Sequence, residues 1–165
     1  MGQFRSIIMT VMLATLMMMS IVRSSVYEDE LTLYTDIVSR SPNKARPHNN
    51  LGEALKKAGR FDEAGARFER ALALQPNYPD ALNNLATIYN KSGRKEEALQ
   101  LLLQALALVP GHLQARYNLA ITFYERGMLH ESAQQYELII ELAPYSKEGA
   151  FARTMLSVIR KRTSS

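Results

Sequence analysis

The chain has 165 residues, of which 47% are hydrophobic and 22% are charged, and its formal net charge is +4. This length suffices for one domain with its own core, and the composition excludes a disordered or collagen-like chain. There is no cysteine, which excludes disulfides, cysteine-ligated metals and a thiol nucleophile. The positive charge is too small and too dispersed to predict a nucleic-acid-binding surface.

A hydrophobic stretch without charge, proline or glycine covers residues 6–22, between Arg5 and Arg23. As a helix it would extend roughly 25 Å, and it could cross a bilayer core of about 30 Å if the flanking arginines reach outward. It predicts an N-terminal membrane anchor or uncleaved signal over residues 1–25. Two alternatives stay open, a cleaved signal peptide and a buried globular helix. The arginine within Val22-Arg23-Ser24 disfavours cleavage, and the absence of a polar face disfavours burial in a globular core.

The short charged start followed by one hydrophobic stretch is typical of a signal-anchor. We therefore predict a single-pass membrane protein whose C-terminal domain lies on the exported side, which is the periplasm if the chain is bacterial. Lysine and arginine are nearly balanced across the stretch, so this orientation is only weakly favoured.

Residues 45–146 repeat with a period of 34 residues and without a gap. The recurring positions hold a leucine, then a small residue, then a glycine and finally a proline. They are Leu51, Leu85 and Leu119; Gly52, Ala86 and Ala120; Gly59, Gly93 and Gly127; and Pro76, Pro110 and Pro144.

This pattern predicts two helices in each unit. Apolar residues recur at helical spacing in both halves, the glycine suits the end of the first helix, and the proline follows the second. The predicted units are an N-terminal capping helix or half repeat (26–44), repeat one (45–78), repeat two (79–112), repeat three (113–146), and a C-terminal capping helix and tail (147–165). Each helix pair would bury its apolar face on the next.

The pattern resembles the tetratricopeptide repeat family, with one departure: His48, Leu82 and Arg116 hold the place of the family's early aromatic residue. The resemblance implies an all-α, right-handed superhelical stack of antiparallel helix pairs, here with an N-terminal hydrophobic helix added. It also implies a scaffold or adaptor that binds an extended peptide or protein segment in its concave groove.

In such a stack the first helix of each unit lines the concave face, where an asparagine recurs at Asn50, Asn84 and Asn118. Asparagine both donates and accepts hydrogen bonds, which suits the backbone of an extended peptide. We call these three residues the asparagine ladder. The alternative is that they space neighbouring units, and the sequence does not decide between the two roles. The other predicted binding residues flank the ladder: Asn49, Asn83, Glu53, Thr87, Lys91, Tyr117, Ile121 and Tyr124.

Two further expectations concern the partner. Tyr117, Ile121 and Tyr124 either form an anchor pocket or pack on the capping helix, and packing is favoured. Family members that clamp chaperone tails use basic residues on the inner helices, but this chain has Asn49 and Glu53 at the first of these places, so capture of a chaperone tail is not expected.

No catalytic arrangement is predicted. His48, His112 and His130 are widely separated and lack ligand spacing, and the acidic pairs Asp62-Glu63 and Glu96-Glu97 suit the first turn of a helix. We predict a non-enzyme without cofactor or metal, with a protein or peptide partner, membrane contact through residues 6–22 and no nucleic acid. Self-association and a role as accessory domain of a membrane glycosyltransferase or cell-envelope biogenesis system are open alternatives.

Overall fold

The computed structural model describes residues 2–163, apart from the side chains of residues 2–8, 10 and 20–28. Within this part of the chain all regular structure is helical. The helices are α1 (Gly2–Arg40), α2 (Ala45–Lys57), α3 (Phe61–Leu74), α4 (Pro79–Lys91), α5 (Lys95–Leu108), α6 (Leu113–Glu125), α7 (Leu129–Leu142) and α8 (Lys147–Thr163).

The turn inside each helix pair depends on its glycine. Gly59, Gly93 and Gly127 have φ angles of 79°, 80° and 77°, in the left-handed region that side chains disfavour. The next residue then donates its N–H back into the helix, as Arg60 does to the Leu55 carbonyl at 2.9 Å. This hydrogen bond ends the first helix and turns the chain into the second.

The core lies between paired helices and between successive pairs. Its fully buried side chains include Phe68, Leu102 and Tyr136, which are equivalent positions of the three second helices. Each packs beside the small position of its first helix, and at Gly52 the Phe68 ring approaches so closely that an added Cβ would lie 2.6 Å from Cε1. The small residue in each unit is therefore required by close helix packing.

The two ends of the stack are closed differently. At the N-terminus, Leu31, Tyr34 and Val38 of α1 pack against the core of the α2–α3 pair. Because α1 is continuous from Gly2 to Arg40, the predicted boundary between anchor and capping helix falls inside one helix. The helix pairs lie within the ranges predicted for the repeats, and the domain boundaries themselves stay a prediction.

At the C-terminus, α8 packs on α7 and stands where the first helix of a fourth repeat would be. Its residues Arg153, Thr154 and Ser157 replace the leucine, alanine and phenylalanine of the third repeat, and all three are exposed. These exposed polar side chains on α8 suit a helix that caps the stack.

Among the described residues, none of the helices combines the length and the apolar character that crossing a membrane requires. The predicted anchor at residues 6–22 falls partly on side chains outside the described residues. It stays a prediction.

Candidate functional site

The first helices of the three pairs form one side of the stack. Helix α2 contacts α4 and α4 contacts α6, whereas the second helices α3, α5 and α7 lie farther apart. Helices are closest on the inner side of a curved stack, so α2, α4 and α6 line the inner face. Every predicted binding residue lies on one of these three helices.

Asn84 joins α4 to α2. It is 5% exposed, and its Nδ2 donates to Asn49 Oδ1 at 3.2 Å and to Glu53 Oε1 at 2.9 Å. Its Oδ1 accepts from Lys56 Nζ at 2.9 Å. Both polar atoms of Asn84 are therefore occupied within the stack.

Asn118 repeats this arrangement one unit later. Its Nδ2 donates to Asn83 Oδ1 at 2.7 Å and to Thr87 Oγ1 at 3.2 Å, both on α4. Its Oδ1 accepts a longer bond of 3.4 Å from Gln114. Asn84 and Asn118 thus each bond backward to the preceding first helix, which is the contact that the spacer alternative predicts.

Asn50, the first member of the ladder, differs from the other two. It is half-buried, and its side chain forms no hydrogen bond to another described residue. Among the described residues, the side chain of Asn50 and the weakly bonded carbonyl of Asn118 therefore keep polar atoms that the stack does not use, whereas both polar atoms of Asn84 are used.

Lys56 is a member of this network that sequence reasoning missed. Burial lowers the pKa of Lys56 below its usual value, and the negative charge of Glu53 partly offsets that shift. The equivalent position in the second unit, Asn90, also bonds across units, with Nδ2 donating to Thr122 Oγ1 at 2.7 Å. The 34-residue period that aligns these two polar residues was the signal that could have identified them.

Lys91 lies away from this network. Its Nζ stands 4.1 Å from the centroid of the Phe61 ring, as a cation–π contact. Both residues line a pocket of about 440 Å³ where the α2–α3 turn meets the end of α4.

Tyr117, Ile121 and Tyr124 lie together at the C-terminal end of the inner face. The Tyr117 ring centroid is 5.2 Å from that of Phe151 on α8, and Tyr117 and Tyr124 both pack on the α6–α7–α8 core. Of the two alternatives for these residues, the contact corresponds to packing on the capping helix, which the sequence favoured. Tyr117 and Phe151 also line a pocket of about 290 Å³ with Gln114, Lys147 and Glu148.

The described histidines have local structural contacts. His112 accepts the Ala115 N–H at the start of α6 through Nδ1 at 3.2 Å, and its Nε2 lies 3.1 Å from Asp80 Oδ1. His48 Nε2 lies 2.9 Å from the Pro42 carbonyl oxygen. In the described part of the chain, no three potential metal-ligating residues come together.

A model of the tetratricopeptide repeat matches residues 43–111, and a second model of the same description matches residues 91–147. The chain belongs to the tetratricopeptide repeat family. This confirms the family predicted from the 34-residue period. The described part of the fold is the helical stack of that family.

Solved structures share this fold. A crystal structure of MamA has a TM-score of 0.75 at 18% identity, covering 86% of this chain and 81% of its own. MamA 41-end from Desulfovibrio magneticus RS-1 has a TM-score of 0.74 at 21% identity, with coverages of 87% and 79%. The first tetratricopeptide repeat domain of Spaghetti (RPAP3), bound to the HSP90 peptide SRMEEVD, has a TM-score of 0.69 at 24% identity, with coverages of 74% and 94%.

No curated protein matches the chain. At these identities the solved structures establish the fold of this chain alone.

Proposed function

We propose that this chain is a membrane-tethered scaffold that binds an extended segment of a protein partner along its inner face. The observation that carries the proposal is the continuous surface formed by α2, α4 and α6, which no other described element of the chain covers. A similar fold, that of Spaghetti (RPAP3), holds a peptide. The family consists generally of non-enzymatic scaffolds, which supports the proposal.

The partner's backbone is expected to bind where inner-face polar groups are available. Asn50 has both its amide donor and its carbonyl acceptor uncommitted among the described residues. Asn118 Oδ1 holds only the 3.4 Å bond from Gln114, which a partner N–H can replace at small cost. Asn84 is expected to contribute indirectly, by fixing the spacing between α2 and α4.

Site-specific photocrosslinking in the native host tests this proposal. A photoreactive residue at Asn50 or Ile121, on the inner face, should crosslink to a protein partner. The same residue at Leu103, which is 49% exposed on the outer helix α5, is the matched control and should not. Equal crosslinking from the inner and outer positions, or none from either, contradicts groove binding.

We further propose that residues 6–22 attach the chain to a membrane, with the helical stack on the exported side. The described large apolar side chains between Met9 and Met19 are 54% to 70% exposed, so nothing described in the chain covers them. Within this stretch Thr15 Oγ1 donates to the Met12 carbonyl at 2.8 Å, which satisfies a hydroxyl without water.

Membrane fractionation with an alkaline wash tests this attachment. The full chain should remain with the membrane and a chain lacking residues 1–25 should be released. Protease added to the outer face should digest the helical stack, and full protection contradicts the exported orientation. The accessory role in a glycosyltransferase or cell-envelope system and self-association stay predictions from the sequence.

A further inference from the structure

The inner face changes chemistry abruptly between α4 and α6. Three positions at helical spacing on α2 have equivalents on α4, α6 and α8, each set 34 residues after the one before it. On α2 and α4 they are all polar: Asn49, Glu53 and Lys56, then Asn83, Thr87 and Asn90. On α6 and α8 they are all apolar or aromatic, and we call these six residues the apolar strip: Tyr117, Ile121 and Tyr124, then Phe151, Met155 and Val158.

The polar positions are hydrogen-bonded within the stack, for example Asn49 to Asn84, Asn83 to Asn118 and Asn90 to Thr122. Part of the apolar strip, in contrast, remains exposed to solvent. Phe151 remains 38% exposed and Val158 39% exposed. The Tyr117–Phe151 ring pair forms a wall of the 290 Å³ pocket, which is large enough for a bulky side chain.

Positive charge borders the apolar strip. The Arg162 guanidinium carbon lies 5.9 Å from the centroid of the Tyr124 ring, at one end of the strip. Lys147 lines the pocket at the other end, and the last turn of α8 carries Arg160, Lys161 and Arg162. Glu148 is the acidic residue among those that line the pocket. A partner that covers the strip therefore meets Arg162 at one end and both Lys147 and Glu148 at the other, and the charge of these three residues together is positive.

We propose that the apolar strip recognises an acidic protein segment that carries bulky aliphatic or aromatic side chains, one of which enters the Tyr117–Phe151 pocket. This inference rests on the proposed peptide binding and names the chemistry of the segment. Carboxylates beside the anchor would pair with Arg162 and Lys147, where apolar surroundings strengthen the attraction. A flat bilayer would not reach a strip on the inner side of a curved stack, and a second copy would bring a like-charged basic end to the site.

Peptide selection with the full chain in detergent micelles tests the proposal. The probe is a displayed library of random 12-residue peptides, from which the best binders are synthesised and titrated. Enriched peptides are expected to combine a Leu, Ile or Phe with an excess of Asp and Glu. Their dissociation constants should rise roughly tenfold or more in Phe151→Ser and in Arg162→Glu. Lysine in place of the peptide's acidic residues should restore binding to the Arg162→Glu chain.

Two further variants keep the result interpretable. Val158→Ser removes an exposed part of the strip outside the buried core, so it tests the strip even if Phe151→Ser loosens α8. Leu103→Ser removes a comparably exposed apolar side chain from outer helix α5 and should leave binding unchanged. Thermal unfolding of each variant identifies any loss of fold.

The possible failures are distinguishable. Peptides that lose affinity in Asn50→Ala but bind the strip variants normally overturn this inference and leave groove binding intact. Selected peptides that are insensitive to Asn50→Ala and to every strip variant, or a selection that yields no binder, overturn the proposed function as well. Enrichment of anionic phospholipid in the micelles of the full chain that is lost in Phe151→Ser and Val158→Ser, without any peptide preference, shows instead that the strip binds a lipid surface.

Discussion

The close approach of α3 to Gly52 makes a quantitative prediction about stability. In Gly52→Ala, the new Cβ would stand 2.6 Å from Phe68 Cε1 and 2.8 Å from Cδ1. Because Phe68 is fully buried, its ring has no open space into which to withdraw. Overpacking of this kind costs about 1–3 kcal/mol, and alanine returns about 1 kcal/mol of helix propensity. We expect Gly52→Ala to lower the free energy of unfolding by about 1 kcal/mol and at most about 2 kcal/mol.

The second unit shows how the clash is relieved, because it pairs Ala86 with Leu102 at the same two positions and both are fully buried. Phe68→Leu alone should destabilise the chain, since it removes ring volume from the core. Adding Gly52→Ala to Phe68→Leu should then cost nothing or stabilise. The double-mutant cycle should give a favourable coupling of about 1 kcal/mol or more.

Urea unfolding of the full chain in detergent, followed by far-ultraviolet circular dichroism, measures each term. Gly65→Ala is the matched control, because its Cβ would meet Ile88 Cγ2 at an ordinary 3.4 Å. It should be neutral or stabilising by up to about 1 kcal/mol. In the third unit Ala120 shares a core with the Tyr136 ring. If the first unit can likewise accommodate an alanine beside an aromatic ring, Gly52→Ala will be neutral and will show no coupling to Phe68. That result would refute the argument from close approach.

The remaining predictions concern other contacts. Asn84→Ala should lower the free energy of unfolding by about 1–3 kcal/mol, because it leaves buried partners unpaired. Asn50→Ala should change it by no more than about 0.5 kcal/mol. Equal effects of the two variants in urea unfolding would contradict the different roles of the two asparagines. Gly149→Ala should detach α8, because its Cβ would clash with the Ala143 carbonyl oxygen. Hydrogen exchange should then show a loss of protection in α8 and none in α2. Burial lowers the pKa of Lys56, so the folded state binds its proton less tightly than the unfolded state. Stability should therefore rise with pH from the lowered pKa toward the usual value, and Lys56→Met should remove that part of the pH dependence; identical pH profiles would refute it.

The repeat architecture could be predicted from the sequence because its determinants are local. A glycine that ends one helix and a proline that follows the next act within a few residues, and the 34-residue period multiplies the signal. The length of α1 could also be predicted from the local sequence. Residues 3–41 contain neither glycine nor proline, so nothing in the chain marks a break near residue 25.

The hydrogen-bond partners of the asparagines could not be predicted from the sequence in this way. Asn84 bonds to Asn49 and Glu53, which lie 35 and 31 residues earlier, and Asn118 bonds to Asn83 and Thr87 at the same two separations. Which side chains meet depends on the rotation between neighbouring units, and the spacing along the sequence does not give that angle. The burial of Lys56 has the same origin.

These contacts indicate that the two ends of the inner face have different roles. A peptide that used Asn84 would have to replace bonds of 2.9 Å to Glu53 and Lys56, both partly buried, so much of its own bonding would only restore what it broke. The apolar strip presents the opposite case, because covering exposed Phe151 and Val158 breaks no hydrogen bond and removes apolar surface from water. We therefore expect the polar units to set the curvature of the stack and the strip to discriminate between partners. Variants of Asn84 and of its partners Glu53 and Lys56 should then change affinity together with stability, whereas variants of the apolar strip should change which peptide is preferred.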